Sequence, residues 1–490
     1  MMSFSRIVLL FILMVGLFTD AIAQKSFVIS GKVPPMADLS LNLQVDRNHM
    51  GRKVVAYTSA IQNNSFNFKI DLDRDYMIEL LNPGFRFPLY AAPGDSLVME
   101  FNDQPTASIS LSGKGSKENT FVQAFFTKFQ SDFNDSVSEK LALASTVDAF
   151  EAKLFSQKKM LSDYFKSDPS YAVFNEDFKS FISNTIIFNY WKQLYSYPIV
   201  NANKSQQIMK VTPLPDLMLA DFAKVKYNNE KALISESYRT FLKYYITYET
   251  SKANGFNKFT DLSVSADRKS AVAKEKLSGE VLTYWLTKYV TDECERISPF
   301  MTNKIYESIK EFDKDKSYQQ IVLEVCGAKM KESGKSSDAK NQTTKAADNN
   351  ADGLDLTTID GKPFSMSSLK GKVVYIDFWA SWCGPCRGMM PFSKQLHDNL
   401  TEKEKKNIVF LYISIDANQD AWKKGITDMG MEGIQVISPG NWSSKVCKYY
   451  QINSIPRYMI MGKSGDIVDF NAKRPNDPAL IDQLREFLVK

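Results

Sequence analysis

The chain has 490 residues, 44% of them apolar and 24% charged, a composition that excludes pervasive disorder and a polytopic membrane protein. At about 150 residues per domain the length allows about three domains. Lys+Arg 61 against Asp+Glu 56 leave a net charge of +5, too slight an excess over this length for nucleic-acid binding or a polybasic membrane footprint. Five cysteines are too few for a disulfide-stapled scaffold.

Residues 1–23 read as an export signal, with Arg6 as the positive start, an apolar run from Ile7 to Phe18, and small residues at Ala21-Ile22-Ala23 before a cut ahead of Gln24. The run is shorter than the roughly 20 residues that cross a bilayer. The mature protein is therefore expected in the periplasm or cell envelope, with no transmembrane segment after signal removal.

Residues 24–115 carry short apolar segments separated by turn residues. In Phe66-Asn67-Phe68-Lys69-Ile70-Asp71-Leu72 apolar and polar positions alternate with the period of a half-buried strand. Similar runs at Val54–Tyr57, Tyr76–Leu81, Ser96–Phe101 and Ala107–Leu111, with turns at Asn82-Pro83-Gly84 and Pro93-Gly94-Asp95, predict a small antiparallel β-sandwich. Over residues 116–330 the period lengthens. Phe121, Phe125 and Phe129 are four apart, and Tyr238, Phe241, Leu242 and Tyr245 follow the i, i+3, i+4, i+7 rule, as do Leu277, Val281, Tyr284 and Trp285 in a later segment. These stripes predict a helical domain with aromatic helix–helix cores and no fixed repeat. Residues 331–352 contain no aromatic residue and no Leu, Ile or Val, so they are expected to form a flexible linker spanning on the order of 25 Å.

From 353 to 490 strand and helix patterns alternate, as expected of an α/β sandwich: a hairpin around Asp360-Gly361, strands at Val373–Phe378, Ile408–Ile415, Tyr458–Met461 and Ile467–Phe470, and helices from Cys383, near Ala421–Met429, at Ser443–Tyr450 and at Pro478–Leu488. The chemistry sits in Cys383-Gly384-Pro385-Cys386. Cys383 follows a buried strand and opens a helix, where unpaired backbone N–H groups and the positive end of the dipole favour thiolate over thiol. Its pKa is expected below the roughly 8.5 of free cysteine. Cys386, one turn on, is the resolving thiol, and Pro385 suits a first helical turn. The predicted cycle has Cys383 attack a partner disulfide and Cys386 release the product from the mixed disulfide, or the reverse sequence for oxidation.

A zinc site would need two more ligands, and His49, His397, Cys294, Cys326 and Cys447 form no second pair at ligand spacing, so neither metal nor other cofactor is expected. A purely structural disulfide is the competing reading, but so short a loop constrains the unfolded chain little. His397 is expected to be a solvated helical residue and Cys447 an inert packed thiol; Cys294 and Cys326 could pair in an oxidising compartment if their Cα atoms come within about 7 Å, but two free, partly buried thiols are expected.

The run Val373-Val374-Tyr375-Ile376-Asp377-Phe378-Trp379-Ala380-Ser381-Trp382-Cys383-Gly384-Pro385-Cys386, with Pro391 beyond it, resembles the thioredoxin superfamily. Together with the export signal it resembles the TlpA/ResA-like envelope branch. Ile455-Pro456-Arg457-Tyr458 is similar to the family's cis-proline loop. The resemblance, which covers residues 353–490, implies that Pro456 packs beside the active disulfide, that Ile455 offers backbone hydrogen bonds to an extended substrate, and that Trp382 borders the same site. It further implies that Asp377 is the buried acid that takes a proton from the resolving thiol. The lysine that accompanies this acid in thioredoxins is replaced by Tyr412, Met389 stands where many relatives carry glutamate, and Asp416 to Gly440 resembles a branch-specific insertion.

The implied architecture is multidomain: an N-terminal β-sandwich, a central α-helical region and a C-terminal α/β thioredoxin-like fold. The implied activity is that of an exported thiol-disulfide oxidoreductase, acting as a reductase on protein dithiol/disulfide clients and recharged by an envelope electron donor or acceptor. The alternative is an envelope client-binding or scaffold protein whose thioredoxin-like domain mainly docks partners.

Overall fold

The computed structural model of the protein describes residues 25–33, 40–51, 54–61, 63–82, 85–101, 109–331 and 353–489. The expected export signal, the linker beyond Lys331, the turn residues Pro83 and Gly84, and Ala107 and Ser108 of one expected strand lie outside the described residues. The described chain falls into two compact units. Residues up to 47, 54–130 and 163–182 form the first, and 48–51, 131–162 and 183–489 form the second. The helical stretch is thus shared between the two units.

The first unit contains β1 (Lys25–Lys32), β2 (Ser40–Val45), β3 (Val55–Ala60), β4 (Ser65–Leu72), β5 (Tyr76–Asn82), β6 (Phe85–Ala91), β7 (Ser96–Phe101) and β8 (Ile109–Lys114). They form two four-stranded sheets, ordered β4-β1-β7-β8 and β3-β2-β5-β6. The alternation in β4 buries Phe66, Phe68, Ile70 and Leu72 against Phe27, Ile29, Leu43 and Ile78. The sandwich is not wholly antiparallel: β1 and β7 pair in parallel, with Ile29 opposite Leu97. Parallel pairing needs a long connection, and here the intervening strands supply it. Pro88 sits on β6, an edge strand, where its missing N–H costs no ladder bond. Helix α1 (Ser116–Lys128) follows. Its buried Asn119 closes two hydrogen bonds with the backbone of Tyr90, each 2.8 Å long, and so satisfies polar groups that β6 would otherwise bury unpaired. Phe121, Phe125 and Phe129 pack with Tyr164 and Phe165, as the stripe predicted.

The remaining helices are α2 (Asp135–Ala144), α3 (Val147–Lys166), α4 (Glu176–Asn203), α5 (Asp216–Leu219), α6 (Glu236–Ala253), α7 (Leu262–Lys276), α8 (Gly279–Glu293), α9 (Pro299–Phe312) and α10 (Ser317–Lys331). Tyr238, Phe241, Leu242 and Tyr245 on α6, and Val281, Tyr284 and Trp285 on α8, are buried. Cys294, at the C-terminal end of α8, is disulfide-bonded to Cys326 on α10 with Cα atoms 6.0 Å apart. The expectation of two free thiols is therefore wrong: helix packing brings together residues 32 positions apart, within the reach that a disulfide requires. No helix among the described residues is long and apolar enough to cross a membrane.

The C-terminal part comprises β9 (Thr357–Thr358), β10 (Val373–Trp379), α11 (Gly384–Asp398), α12 (Glu402–Lys405), β11 (Ile408–Ser414), α13 (Gln419–Met429), β12 (Ile434–Ile437), α14 (Lys445–Tyr450), β13 (Arg457–Met461), β14 (Ile467–Asp469) and α15 (Leu480–Val489). Its six strands are ordered β14-β13-β10-β11-β12-β9. β10 runs parallel to β11 and antiparallel to β13. Every residue of β10 is buried, which explains why Asp377 is its one charged residue in an otherwise apolar run: a central strand covered on both faces has no solvent side on which to place polar groups.

Within the second unit, α7 and α9 are fastened to this sheet. Asp261, which caps α7, pairs with Arg457 at 3.2 Å. Lys304 reaches both Asp267 at 2.8 Å and the Ile467 carbonyl at 3.0 Å, and the Phe300 ring stacks on Phe470.

Candidate active site

The centre of the site follows from the order strand, short loop, helix. β10 ends at Trp379, and Cys383 takes the N-cap position of α11 with φ −83° and ψ 98°. Its sulfur accepts the backbone N–H of Cys386 at 3.1 Å, one of the orphan donors that every helix start presents. Cys383 and Cys386 are disulfide-bonded, with Cα atoms 5.3 Å apart. Cys386 is fully buried, whereas Cys383 keeps 4% of its surface beside Trp382, which is 52% exposed. An incoming sulfur can therefore approach only at Cys383. Pro385 lies in the first turn and Pro391 within α11. The Ile455–Pro456 peptide bond is cis and directly precedes β13.

The loop that carries Trp382 and Cys383 is held by a residue the motif does not contain. Asp416, just beyond β11 and 2% exposed, accepts the Ser381 backbone N–H and the Ser381 and Ser414 hydroxyls, each at 2.8 Å. A carboxylate that accepts three donors is strongly anchored, so Asp416 is a positioning residue for the active-site loop. In the sequence it marked only the start of an insertion. The one local cue is Ser414 two residues earlier, whose hydroxyl also accepts the Asp416 N–H at 3.0 Å. Gly425 on α13 packs against Trp379 and Ser381, and a Cβ added there would lie 3.3 Å from the indole.

Asp377 lies on β10 opposite Tyr412 and Tyr458. Neither carboxylate oxygen meets a hydrogen-bond donor among the described residues, and burial pushes its pKa well above the usual carboxylate range. Burial, followed by the Asp377 charge, pushes up the phenols of Tyr375, Tyr412 and Tyr458. Cys447 on α14 is a buried free thiol whose pKa burial raises, an environment that disfavours the reactive thiolate. His397 is partly exposed at the far end of α11, its Nδ1 3.5 Å from a Glu432 oxygen. Among the described residues His397, Asp398 and Glu432 bring ligand atoms within 4.8 Å of one another. Glu432 also pairs with Lys394 at 3.6 Å.

Trp442, after β12, was not singled out from the sequence. Gly440, at φ +119°, turns the chain so that the Trp442 ring meets Trp382 edge-on at 5.9 Å. Both indoles are about half exposed. They form an aromatic border beside the disulfide.

A central sheet flanked by helices, a dithiol pair at a helix N-terminus and a cis-proline before the next strand together define a thioredoxin-like domain. The Thioredoxin-like family model matches residues 371–467, and the C-terminal domain belongs to that family. The chain is 27% identical over 114 residues to the thiol-disulfide oxidoreductase ResA of Bacillus thuringiensis, a match that covers 23% of this chain and 62% of the relative. It thus spans less than two thirds of the length of that relative. A solution structure from Bacteroides vulgatus is 36% identical over 28% of this chain and 88% of its own, with a TM-score of 0.25. A thiol-disulfide oxidoreductase from Bacteroides fragilis is 28% identical over 27% of this chain and 95% of its own, with a TM-score of 0.25.

Proposed function

We propose that this protein is an exported thiol-disulfide oxidoreductase that reduces disulfides of client proteins through Cys383 and Cys386. The observation that carries the reading is the Cys383 sulfur at the N-cap of α11, accepting a helix-start N–H at 3.1 Å. In the reduced protein that donor and the helix dipole stabilise the thiolate. The thiolate attacks one client sulfur, an S–S bond forms to Cys383, and the other client sulfur leaves and takes up a proton. Cys386 then attacks the Cys383 sulfur, releasing the second client thiolate and closing the internal disulfide. Two electrons pass to the client, and a dithiol donor in the envelope restores the pair. Asp377, its pKa raised by burial, accepts the proton of the Cys386 thiol. Trp382, Ile455 and Pro456 form the surface on which the client chain lies. Export is supported by residues 1–23 of the sequence.

Reduction of insulin disulfides tests this proposal. The wild-type protein is expected to catalyse it, and Cys383→Ser to lose at least about 1,000-fold in rate, because no other cysteine in the domain takes a helix N-cap position. A Cys383→Ser protein with full activity overturns the reading.

A further inference from the structure

A cleft of about 680 Å³ opens between the thioredoxin-like domain and helices α9 and α10 within the second unit. Pro299 and Lys329 line one side, and Trp442, Lys448, Gln451 and Asn453 line the other. Its size is that of a ligand-binding cleft. Two features tie it to the disulfide. Trp442 at one border touches Trp382, the residue before Cys383, and Asn453 leads within two residues to Ile455 and the cis-proline. The cleft therefore continues the surface on which a client cysteine must arrive. Its shape is fixed from the helical side, because Gln451 accepts the Ser263 hydroxyl at 3.2 Å and Arg457 is held by Asp261.

Among the described residues, the charged side chains that line the cleft are two lysines, with no carboxylate. Lys448 is exposed on α14. We propose that this cleft binds an acidic, extended segment of the client that flanks its reactive cysteine, so that the helical region selects substrates for the thioredoxin-like site. The inference rests on the oxidoreductase reading above. It assigns to α9 and α10 a part in recognition, with Trp442 as the aromatic contact nearest the reacting sulfur and Lys448 as the charge that reads the acidic segment.

The test uses the full chain carrying Cys386→Ala, reduced, so that the reaction stops at the mixed disulfide. Two peptides each carry one cysteine capped as a thionitrobenzoate disulfide, one flanked by glutamates and the other by lysines. The Cys383 thiolate attacks the peptide sulfur, a new S–S bond forms, and the dye leaves as its coloured thiolate. A bare thiolate favours the lysine peptide, so a preference for glutamate must come from the cleft. At low salt the glutamate peptide is expected to react about tenfold faster than the lysine peptide. Half-molar salt is expected to erase that preference, and Lys448→Glu to abolish or reverse it. Equal rates, or a glutamate preference that survives both salt and Lys448→Glu, overturn the proposal. Failure of every disulfide to release dye, the uncapped dye reagent included, overturns the oxidoreductase reading and this inference with it.

Discussion

The two disulfides of this chain are the same bond in opposite backbone surroundings. All four cysteines are at most 4% exposed, so burial does not tell the pairs apart. Cys383 offers its sulfur to a backbone N–H at a helix start, beside the half-exposed Trp382. Cys326 lies in the body of α10 with its sulfur 3.6 Å from the Val290 carbonyl oxygen. Once reduced, the first sulfur faces the positive end of a dipole and the second faces a negative one. The polarity of the nearest backbone group, more than exposure, separates a sulfur suited to exchange from one suited to holding helices together.

The separation in sequence makes the same distinction energetically. Closing a loop of 32 residues between Cys294 and Cys326 restricts the unfolded chain enough to stabilise the fold by about 4 kcal/mol, whereas closing three between Cys383 and Cys386 contributes about 2 kcal/mol. In urea unfolding, Cys294→Ala/Cys326→Ala is therefore expected to lose about 4 kcal/mol while keeping its insulin-reducing rate per folded molecule. Cys383→Ala/Cys386→Ala is expected to lose about half as much stability and all turnover. The reverse pattern breaks the comparison.

The next largest effect concerns what holds the reactive pair in place. Asp416→Ala removes the acceptor of three hydrogen bonds and leaves the Ser381 N–H without its partner, so a loss of about 2 kcal/mol is expected, together with slower insulin reduction. Asp416→Asn, which keeps an acceptor oxygen, is expected to recover part of both. An Asp416→Ala protein with wild-type melting temperature and rate removes Asp416 from the site.

These residues also mark how much of the molecule could be read from its sequence. The strand, the CxxC pair and the helix that opens at Cys383 are local features, set by an apolar run, a cap position and two prolines within 19 residues, Val373 to Pro391. Five strands of the sandwich, β3, β4, β5, β7 and β8, were legible because alternation and turn residues are local as well, whereas β1, β2 and β6 were not singled out. The pairing of Cys294 with Cys326 was not, since it depends on how α8 packs on α10. The parallel β1–β7 pair, the three donors on Asp416 and the contact of Trp442 with Trp382 likewise arise only when segments distant in the chain meet. The division of the helices between two units has the same origin: α4 carries aromatic residues along its whole length, Phe178 packing in the first unit and Tyr195 in the second, and its sequence does not mark where one core ends.

Asp377 sharpens the comparison from the side of the acid. Its folded-state pKa is raised by burial above the roughly 3.9 of an unfolded chain, so the folded protein binds the proton more tightly than the unfolded one. Stability must then fall as pH rises from about 4 through the folded pKa, where the buried carboxylate becomes charged. Asp377→Asn removes that titration. Its melting temperature is expected to match that of wild type near pH 4 and to exceed it by a margin that widens with pH. In the proposed cycle the same variant lacks the proton acceptor for Cys386, so resolution of the mixed disulfide should slow while the initial attack by Cys383 keeps its rate. A gain in stability with no change in either rate would make Asp377 a cost of burial alone, and an equal slowing of both steps would place its influence on Cys383 instead.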